Sequence, residues 1–591
     1  MLLKVDALTV EVVRLSAHDG ISPLLWGRVR GFFPNQEPEG GNAFRIPFYE
    51  FVRQLHLLRD YCEGHDIPFI IVPDVQTRID TIERTKQGGH AFSEEELEER
   101  LQTVGFERPL MSFQTRNVRK LCQRLQGASF SVPGAGKTTE ALAFYFALRS
   151  PGDTLLVVAP KNAFCAWEEQ LAECVPDLKR SFVRLVGGIE NVRKLLREQH
   201  DFLLINYQSL GRYQKAVAEY LTQSPGTFVF LDESHRAKNP RSQTAEAIRA
   251  ISVFPKGRLV MSGTPMPQAR EDLVPQVSFL YPDEEISVEN AVERIQPIYV
   301  RTTAGELGIP DIKHLYRNVQ LPDIEMEAYK RMRLLSAKAL TNPNPTDARF
   351  LRNLGKSVTR LLAFVANPST LANEMAQIDP RLPAYLASHD GPKISYVCRR
   401  TRELVTTGKK VLIWSAFVKN VELLAARLAD CGADYIHGGV QAGSDEDEGT
   451  RERKIKRFHE EPSAMVLVAN PAAASEGISL HKDCQYAIYL DRSFNAAHFL
   501  QSQDRIHRIG MPTGTFPTVE IIQCPDTIDE VVDLRLKTKI MAMSKLLNDP
   551  SIIVGGSVLD DYDEDEENGE GDVIGLSPED CESILAHLQS L

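Results

Sequence analysis

No CxxC pair occurs among the nine cysteines, which are scattered at positions 62, 122, 165, 174, 398, 431, 484, 524 and 581. That spacing argues against structural zinc, and unclustered thiols suit a reduced compartment better than a disulfide scaffold. No apolar run approaches the roughly 20 residues that a membrane helix needs, so no membrane partner is expected. The opening Met1-Leu2-Leu3-Lys4-Val5-Asp6 lacks a signal-peptide layout because an acid arrives early, and the cytoplasm is the expected location. An excess of positive charge is also missing: the formal net charge is −12, which at first sight speaks against nucleic acid. Nine of the acids (Asp560, Asp561, Asp563, Glu564, Asp565, Glu566, Glu567, Glu570 and Asp572) are gathered in one short stretch, and without them the chain is close to neutral. A near-neutral body can still carry a basic groove, because the local field governs binding. Charge balance therefore excludes no partner.

At 591 residues the chain is longer than one core supports, so two to four domains are expected. Residues 1–105 carry no catalytic signature. Trp26–Arg30, Phe44–Phe48 and Pro68–Val72 are predicted as short strands, with Pro47 confining the second to a sheet edge, and Phe51–Cys62 as a helix. They make a small α+β accessory domain.

From 106 to 285 strand and helix patterns alternate, which is the mark of a doubly wound parallel sheet. The predicted strands are Ala128–Val132, Thr154–Ala159, Phe202–Asn206, Thr227–Leu231 and Arg258–Ser262. After the first comes Pro133-Gly134-Ala135-Gly136-Lys137-Thr138-Thr139. Small residues there let backbone N–H groups close around a triphosphate, Lys137 adds a point charge for the β- and γ-phosphates, and Thr138 offers Mg²⁺ a hydroxyl. The strict pattern has Gly where Ser131 stands, so a chance Gly-Lys-Thr turn competes as a reading of the loop alone. Another strand ends in Asp232-Glu233-Ser234-His235. Two adjacent acids there call for a cation: Asp232 can hold Mg²⁺ through its waters, and Glu233 can orient and deprotonate an attacking water. Lys161, Ser209 and the Ser262-Gly263-Thr264-Pro265 run end three further strands with donors suited to phosphates, although each alone reads equally as a capped turn. Gln114, ahead of a basic helix, can read an adenine edge or simply cap that helix.

Between 286 and 392 the parallel pattern lapses into helical stretches, 325–339 and 349–365, broken by Asn342-Pro343-Asn344-Pro345. A second strand–helix series follows, with strands Val411–Ser415, Asp434–His437, Met465–Ala469, Tyr486–Asp491 and Thr518–Ile522. It has no phosphate loop but carries Gln501-Ser502-Gln503-Asp504-Arg505-Ile506-His507-Arg508-Ile509-Gly510. Arg505 and Arg508, three apart, share a face if that block is helical, which suits arginine fingers delivered to a γ-phosphate.

These blocks, in this order, resemble the superfamily-two helicases and, within them, the Swi/Snf-like DNA-dependent ATPases. The resemblance implies two RecA-like lobes, 106–285 and 393–550, with a helical insertion and linker at 286–392, the accessory domain at 1–105, and an acidic, largely disordered tail at 551–591. It also implies residue roles. Gln114 contacts adenine; Pro133, Gly134, Ala135, Gly136, Lys137, Thr138 and Thr139 cradle ATP; Thr138 and Asp232 hold Mg²⁺. Asp232 and Glu233 run hydrolysis, Arg505 and Arg508 complete the site, and Gln501 lies near the nucleotide. Lys161, Ser209, Ser415 and Ser475 face a nucleic-acid backbone. The sequence departs from the family at Ser234, at Ser493-Phe494-Asn495-Ala496 in place of Trp-Asn-Pro, and at Met511. The expected function is ATP-driven translocation on duplex DNA, without sequence preference, in DNA repair or phage defence. Partner proteins are expected at the N-terminal domain or the acidic tail. A strand-separating DNA or RNA helicase and an ATP-operated scaffold or switch are the alternatives.

Overall fold

Parallel strands need crossover connections, and the alternation of β-rich and helix-period segments supplies them twice along this chain. The computed structural model describes residues 2–18, 20, 22–86, 88–237, 242–266, 269–340, 348–441, 447, 449–474, 479–512, 514–547 and 576–590. Two units result: Met1–Met266 with Arg270–Thr302, and Pro267–Ala269 with Thr303–Leu591.

The first unit begins with β1 (Leu2–Ala7), β2 (Val12–His18), β3 (Glu37–Pro38), β4 (Ala43–Pro47) and β5 (Phe69–Ile71), paired in the order β3-β4-β2-β1-β5. Two expectations fail here. Trp26–Arg30 lies inside the helix Pro23–Gly31, because Pro23 presets the first turn and Trp26 and Val29, three apart, share the buried face. Strand β4 is flanked on both sides, by β2 and by the two-residue β3, so Pro47 ends a strand rather than marking a sheet edge. This small domain packs on the rest of its unit. The Phe48 ring stacks on Phe254 with centroids 5.9 Å apart, and Gln214 donates to Glu11 at 2.8 Å.

The main sheet of the unit is built from β6 (Gln126–Ser129), β7 (Thr154–Val158), β8 (Val183–Arg184), β9 (Phe202–Ile205), β10 (Thr227–Asp232), β11 (Gly257–Met261) and β12 (Tyr299–Val300). Its order is β12-β6-β11-β10-β7-β9-β8, and every pairing is parallel. The helix Lys137–Leu148 is buried on almost every side, with Phe144, Tyr145 and Phe146 wedged among Phe202, Phe228, Phe230 and Trp167. A helix that is apolar all round in this way belongs in a core. That burial fixes its first turn against the carboxyl edge of the sheet.

The second unit repeats the plan with β13 (Lys313–Asn318), β14 (Val411–Trp414), β15 (Asp434–Ile436), β16 (Val466–Ala469), β17 (Tyr486–Tyr489) and β18 (Thr518–Gln523), all parallel, in the order β13-β18-β17-β14-β16-β15. The expected helical insertion is thus not wholly helical. Strand β12 completes the edge of the first sheet and β13 the edge of the second. An edge strand as polar as Lys313-His314-Leu315-Tyr316-Arg317-Asn318 leaves little periodic signal. The helices Asp323–Ala339 and Ala348–Ala366 stand where expected, and the Asn342–Pro345 break lies outside the described residues.

The end of the chain corrects another expectation. Within 551–591, Pro578–Gln589 is a helix with a capping box at Ser577, and Cys581, Ile584 and Leu588 enter a core shared with Tyr329, Val532 and Leu536. Their spacing of three and then four puts them on one face. Asp580, fully buried, pairs with Lys539 at 2.5 Å and Arg535 at 2.7 Å. Lys539 also donates to the Phe494 carbonyl at 3.2 Å. Removing one partner of a buried pair strands the other charges, so Asp580→Ala is expected to cost roughly 3 kcal/mol or more, measured as a lowered urea midpoint of the unit's unfolding. The nine acids at 560–572 lie outside the described residues.

Candidate active site

Parallel pairing places the ends of β6, β11, β10, β7 and β9 side by side on one edge. Ser129 is in register with Met261, Met261 with Asp232, Leu231 with Val158, and Val158 with Ile205. The loops that follow carry 133–138, 262–265, 232–235, 161 and 206–209, so five polar clusters distant in sequence form one row. Ligands gather at this edge of such sheets.

In the phosphate loop Gly134 has φ 88° and Gly136 φ 77°, both left-handed. A Cβ on Gly136 would come within 2.4 Å of the Gln114 Nε2, and the left-handed φ strains any other residue there. Gly136 is also the N-cap of the helix Lys137–Leu148, and no side chain caps that helix. Its first turn therefore presents N–H groups and the positive end of the dipole at the loop, the arrangement an anion needs. Lys137 folds back over the loop and donates to the Ser131 carbonyl at 2.9 Å, and Thr138 is half-buried beside it. Gly263 packs against the ring of Pro133, bringing the 262–265 loop to the same place. These residues fit a nucleoside triphosphate.

The acidic pair is held from several sides. Trp167 Nε1 donates to Asp232 Oδ2 at 2.8 Å, the Glu233 N–H to Asp232 Oδ1 at 3.0 Å, and the Tyr207 hydroxyl to the Asp232 carbonyl at 2.6 Å. Burial and the neighbouring Glu233 carboxylate push the Asp232 carboxyl well above its ordinary range, against the pull of the Trp167 hydrogen bond and the Lys137 charge. A cation would relieve that repulsion, so the donor set fits Mg²⁺. Glu233 sits at φ 49°, an uncommon conformation for a residue with a side chain and one that clusters at functional sites. His235 Nδ1 lies 3.3 Å from Glu233 Oε2 and 2.9 Å from Ser262 Oγ, and Ser262 Oγ accepts the Thr264 N–H at 3.0 Å. The imidazole thereby joins the acidic turn to the 262–265 loop. Gln276 ties the two from behind, accepting from Ser234 Oγ at 2.7 Å and donating to the Pro265 carbonyl at 2.6 Å.

Several expected residues have other employment. Gln114 is 7% exposed and bonds to the protein at both ends of its amide: Oε1 accepts the Met111 N–H at 3.0 Å and Nε2 donates to the Ala135 carbonyl at 3.1 Å. Through those two bonds it braces the phosphate loop. The Thr139 hydroxyl, buried beside Gly136, donates to Gln170 at 2.9 Å. Ser415, at 0% exposure, donates to Asp491 at 2.6 Å, so it has no surface for a phosphate backbone. Ser475 lies outside the described residues. Lys161 is exposed and Ser209 half-buried, on the neighbouring strand ends of β7 and β9.

In the second unit the helix Ala496–Gln503 is capped by Asn495, whose Oδ1 accepts the Ala497 and His498 N–H groups. It stops before the arginines, which occupy turns, so the shared helical face expected of Arg505 and Arg508 does not exist. Arg505 is 4% exposed and donates through Nε to the Gln501 carbonyl at 2.9 Å, whereas Arg508 is only half-buried. Gln501 is itself buried, beneath this turn.

Trp167, Gln170, Gln276 and His314, which lies 2.8 Å from Gln503, left no trace in the sequence. Each reaches its partner across dozens of residues or more, and no local spacing encodes such a contact.

Residues 127–296 match the SNF2-related domain, and residues 392–510 match the helicase conserved C-terminal domain. The chain carries an SNF2-related domain followed by a helicase C-terminal domain. The chain is 24% identical over 421 residues to the ISWI chromatin-remodeling complex ATPase ISW2 of Saccharomyces cerevisiae, covering 66% of this chain and 36% of that protein. It is 22% identical over 482 residues to the human SWI/SNF-related matrix-associated actin-dependent regulator of chromatin subfamily A member 1, covering 75% and 44%. With the ATP-dependent helicase fft2 of Schizosaccharomyces pombe it shares 23% over 543 residues, covering 76% and 41%. The chain thus spans about two fifths of the length of these relatives. Among solved structures, the Sulfolobus solfataricus SWI2/SNF2 ATPase core in complex with dsDNA aligns with 76% of this chain and 94% of its own, at 19% identity and a TM-score of 0.31. Among the described residues no helix is long and apolar enough to cross a membrane.

Proposed function

We propose that this chain is an ATP-driven motor that translocates along double-stranded DNA without reading its sequence. The observation that carries the reading is the row of polar clusters on one sheet edge, with a left-handed glycine loop, an uncapped helix N-terminus and a paired-acid turn as neighbours. Backbone N–H groups of the loop and Lys137 would bind the β- and γ-phosphates, while Thr138 and Asp232 would hold Mg²⁺. The metal supplies charge neutralisation at the phosphates. Glu233, fixed in its strained turn beside His235, would orient the attacking water and accept its proton. Arg508, more presented than Arg505, would bring positive charge to the transition state, with Arg505 and Gln501 shaping the turn that carries it.

Lys161 and Ser209 would contact the phosphate backbone of the track from neighbouring strand ends. Such contacts position without specifying sequence. Raising salt from about 50 to about 200 mM should weaken duplex binding on the order of 10³-fold if about six phosphates are neutralised. The deciding experiment measures ATPase rate with duplex DNA, single-stranded DNA and RNA, beside strand-displacement and triplex-displacement assays. Duplex-stimulated turnover with triplex displacement and no unwinding is the expected result. Strand displacement would favour the helicase alternative, and ATP binding without turnover the switch.

A further inference from the structure

The chain leaves the first unit at Thr302, and that exit is fastened to the phosphate loop. The N–H groups of Ala128, Phe130 and Val132 donate to the carbonyls of Ile298, Val300 and Thr302 at 3.1, 2.9 and 3.1 Å. Pairing with the exit segment therefore continues past the end of β6 to the residue before Pro133. The Thr302 N–H then donates to Ser131 Oγ at 3.0 Å. Ser131 is the residue that breaks the strict loop pattern, and here its hydroxyl does what a glycine could not.

Thr302 is held from a second direction. Asn117 Nδ2 donates to Thr302 Oγ1 at 2.9 Å and to Glu140 Oε1 at 2.9 Å, while Ser129 Oγ donates to Glu140 Oε2 at 3.1 Å. Arg116 fixes the other end of the same amide at 3.2 Å and also holds the Arg301 carbonyl at 3.1 Å. Glu140 stands one turn after Lys137 on the helix that receives the phosphates. Both sides of the loop, residues 131–132 before it and Glu140 after it, reach Thr302 through one or two hydrogen bonds. Asn117, Ser129, Ser131, Glu140 and Thr302 are all buried. Packed, fully bonded groups of this kind pass on a displacement rather than absorb it.

We propose that Thr302, gripped by Ser131 and Asn117, is a positioning residue that conveys the state of the phosphate loop to the chain's exit from the first unit. It does not touch nucleotide; it couples nucleotide binding to the grip on the nucleic acid. The proposal rests on the motor reading, in which ATP and duplex affinities are linked. Linkage is reciprocal, so one ratio measures it: duplex Kd without, over with, a non-hydrolysable ATP analogue.

The test uses the full chain and Thr302→Val, which removes Oγ1 and keeps both shape and backbone N–H, with Thr302→Ser as the conservative control. Wild type is expected to show a ratio differing from one by about fivefold or more. Thr302→Val should bring it close to one, with ATP-analogue affinity in the absence of DNA within twofold of wild type, and Thr302→Ser should restore it. Ser131→Ala, which adds no bulk, should reduce the same ratio if Thr302→Val folds poorly. A wild-type ratio retained by both Thr302→Val and Ser131→Ala overturns the coupling role and leaves the motor reading intact. A wild-type chain without any linkage overturns both.

Discussion

Lys137→Ala is expected to leave no measurable ATP turnover. The side chain is the point charge at a loop whose other donors are neutral backbone groups, and charge-assisted hydrogen bonds are roughly twice as strong as neutral ones. Losing a preorganised donor to a developing transition state costs about 10²–10³ in rate by itself. Here Lys137 also clasps the loop, donating to the Ser131 and Val132 carbonyls at 2.9 and 3.5 Å, so its removal loosens the cradle as well. Phosphate release at saturating duplex and ATP measures the effect. Lys137→Arg should rescue little, because a planar fork does not fill the place of a compact ammonium. Turnover of Lys137→Ala within tenfold of wild type would remove the loop from the mechanism.

The second large effect is expected at Arg508. An arginine finger contributes about 10³–10⁵ in rate, so Arg508→Ala should slow turnover by roughly 10³-fold or more. Its signature differs from that of Lys137→Ala. The phosphate loop belongs to the first unit and Arg508 to the second, so ATP-analogue affinity should change by only a few-fold while kcat collapses. Arg505 offers the internal comparison: buried and bonded to the Gln501 carbonyl, it is expected to affect folding of the turn along with rate. Normal turnover by Arg508→Ala would remove the finger assignment.

The placement of the candidate site is legible in the sequence because its polar clusters lie at strand ends, where an apolar run stops and an unusual polar cluster begins. Asp232 and Glu233 after Phe228-Val229-Phe230-Leu231 are the clearest case, and the parallel pairing puts them in register with the strands beside them. What the sequence left out shares another cause. Gln114, Thr139 and Ser415 have the right chemistry at the right sequence position, but tertiary packing turned each inward, to Ala135, Gln170 and Asp491. Trp26–Arg30 was misread because two arginines flanking a valine imitate strand alternation, while Pro23 starts a helix. The polar edge strand β13 and the two-residue β8 and β12 owe their conformation to the neighbour they pair with. No period in their own residues announces it.

The docked helix Pro578–Gln589 changes what the acidic stretch before it is. With Leu547 at the end of one packed helix and Cys581 in the core of the same unit, the described residues on either side of that stretch belong to one unit.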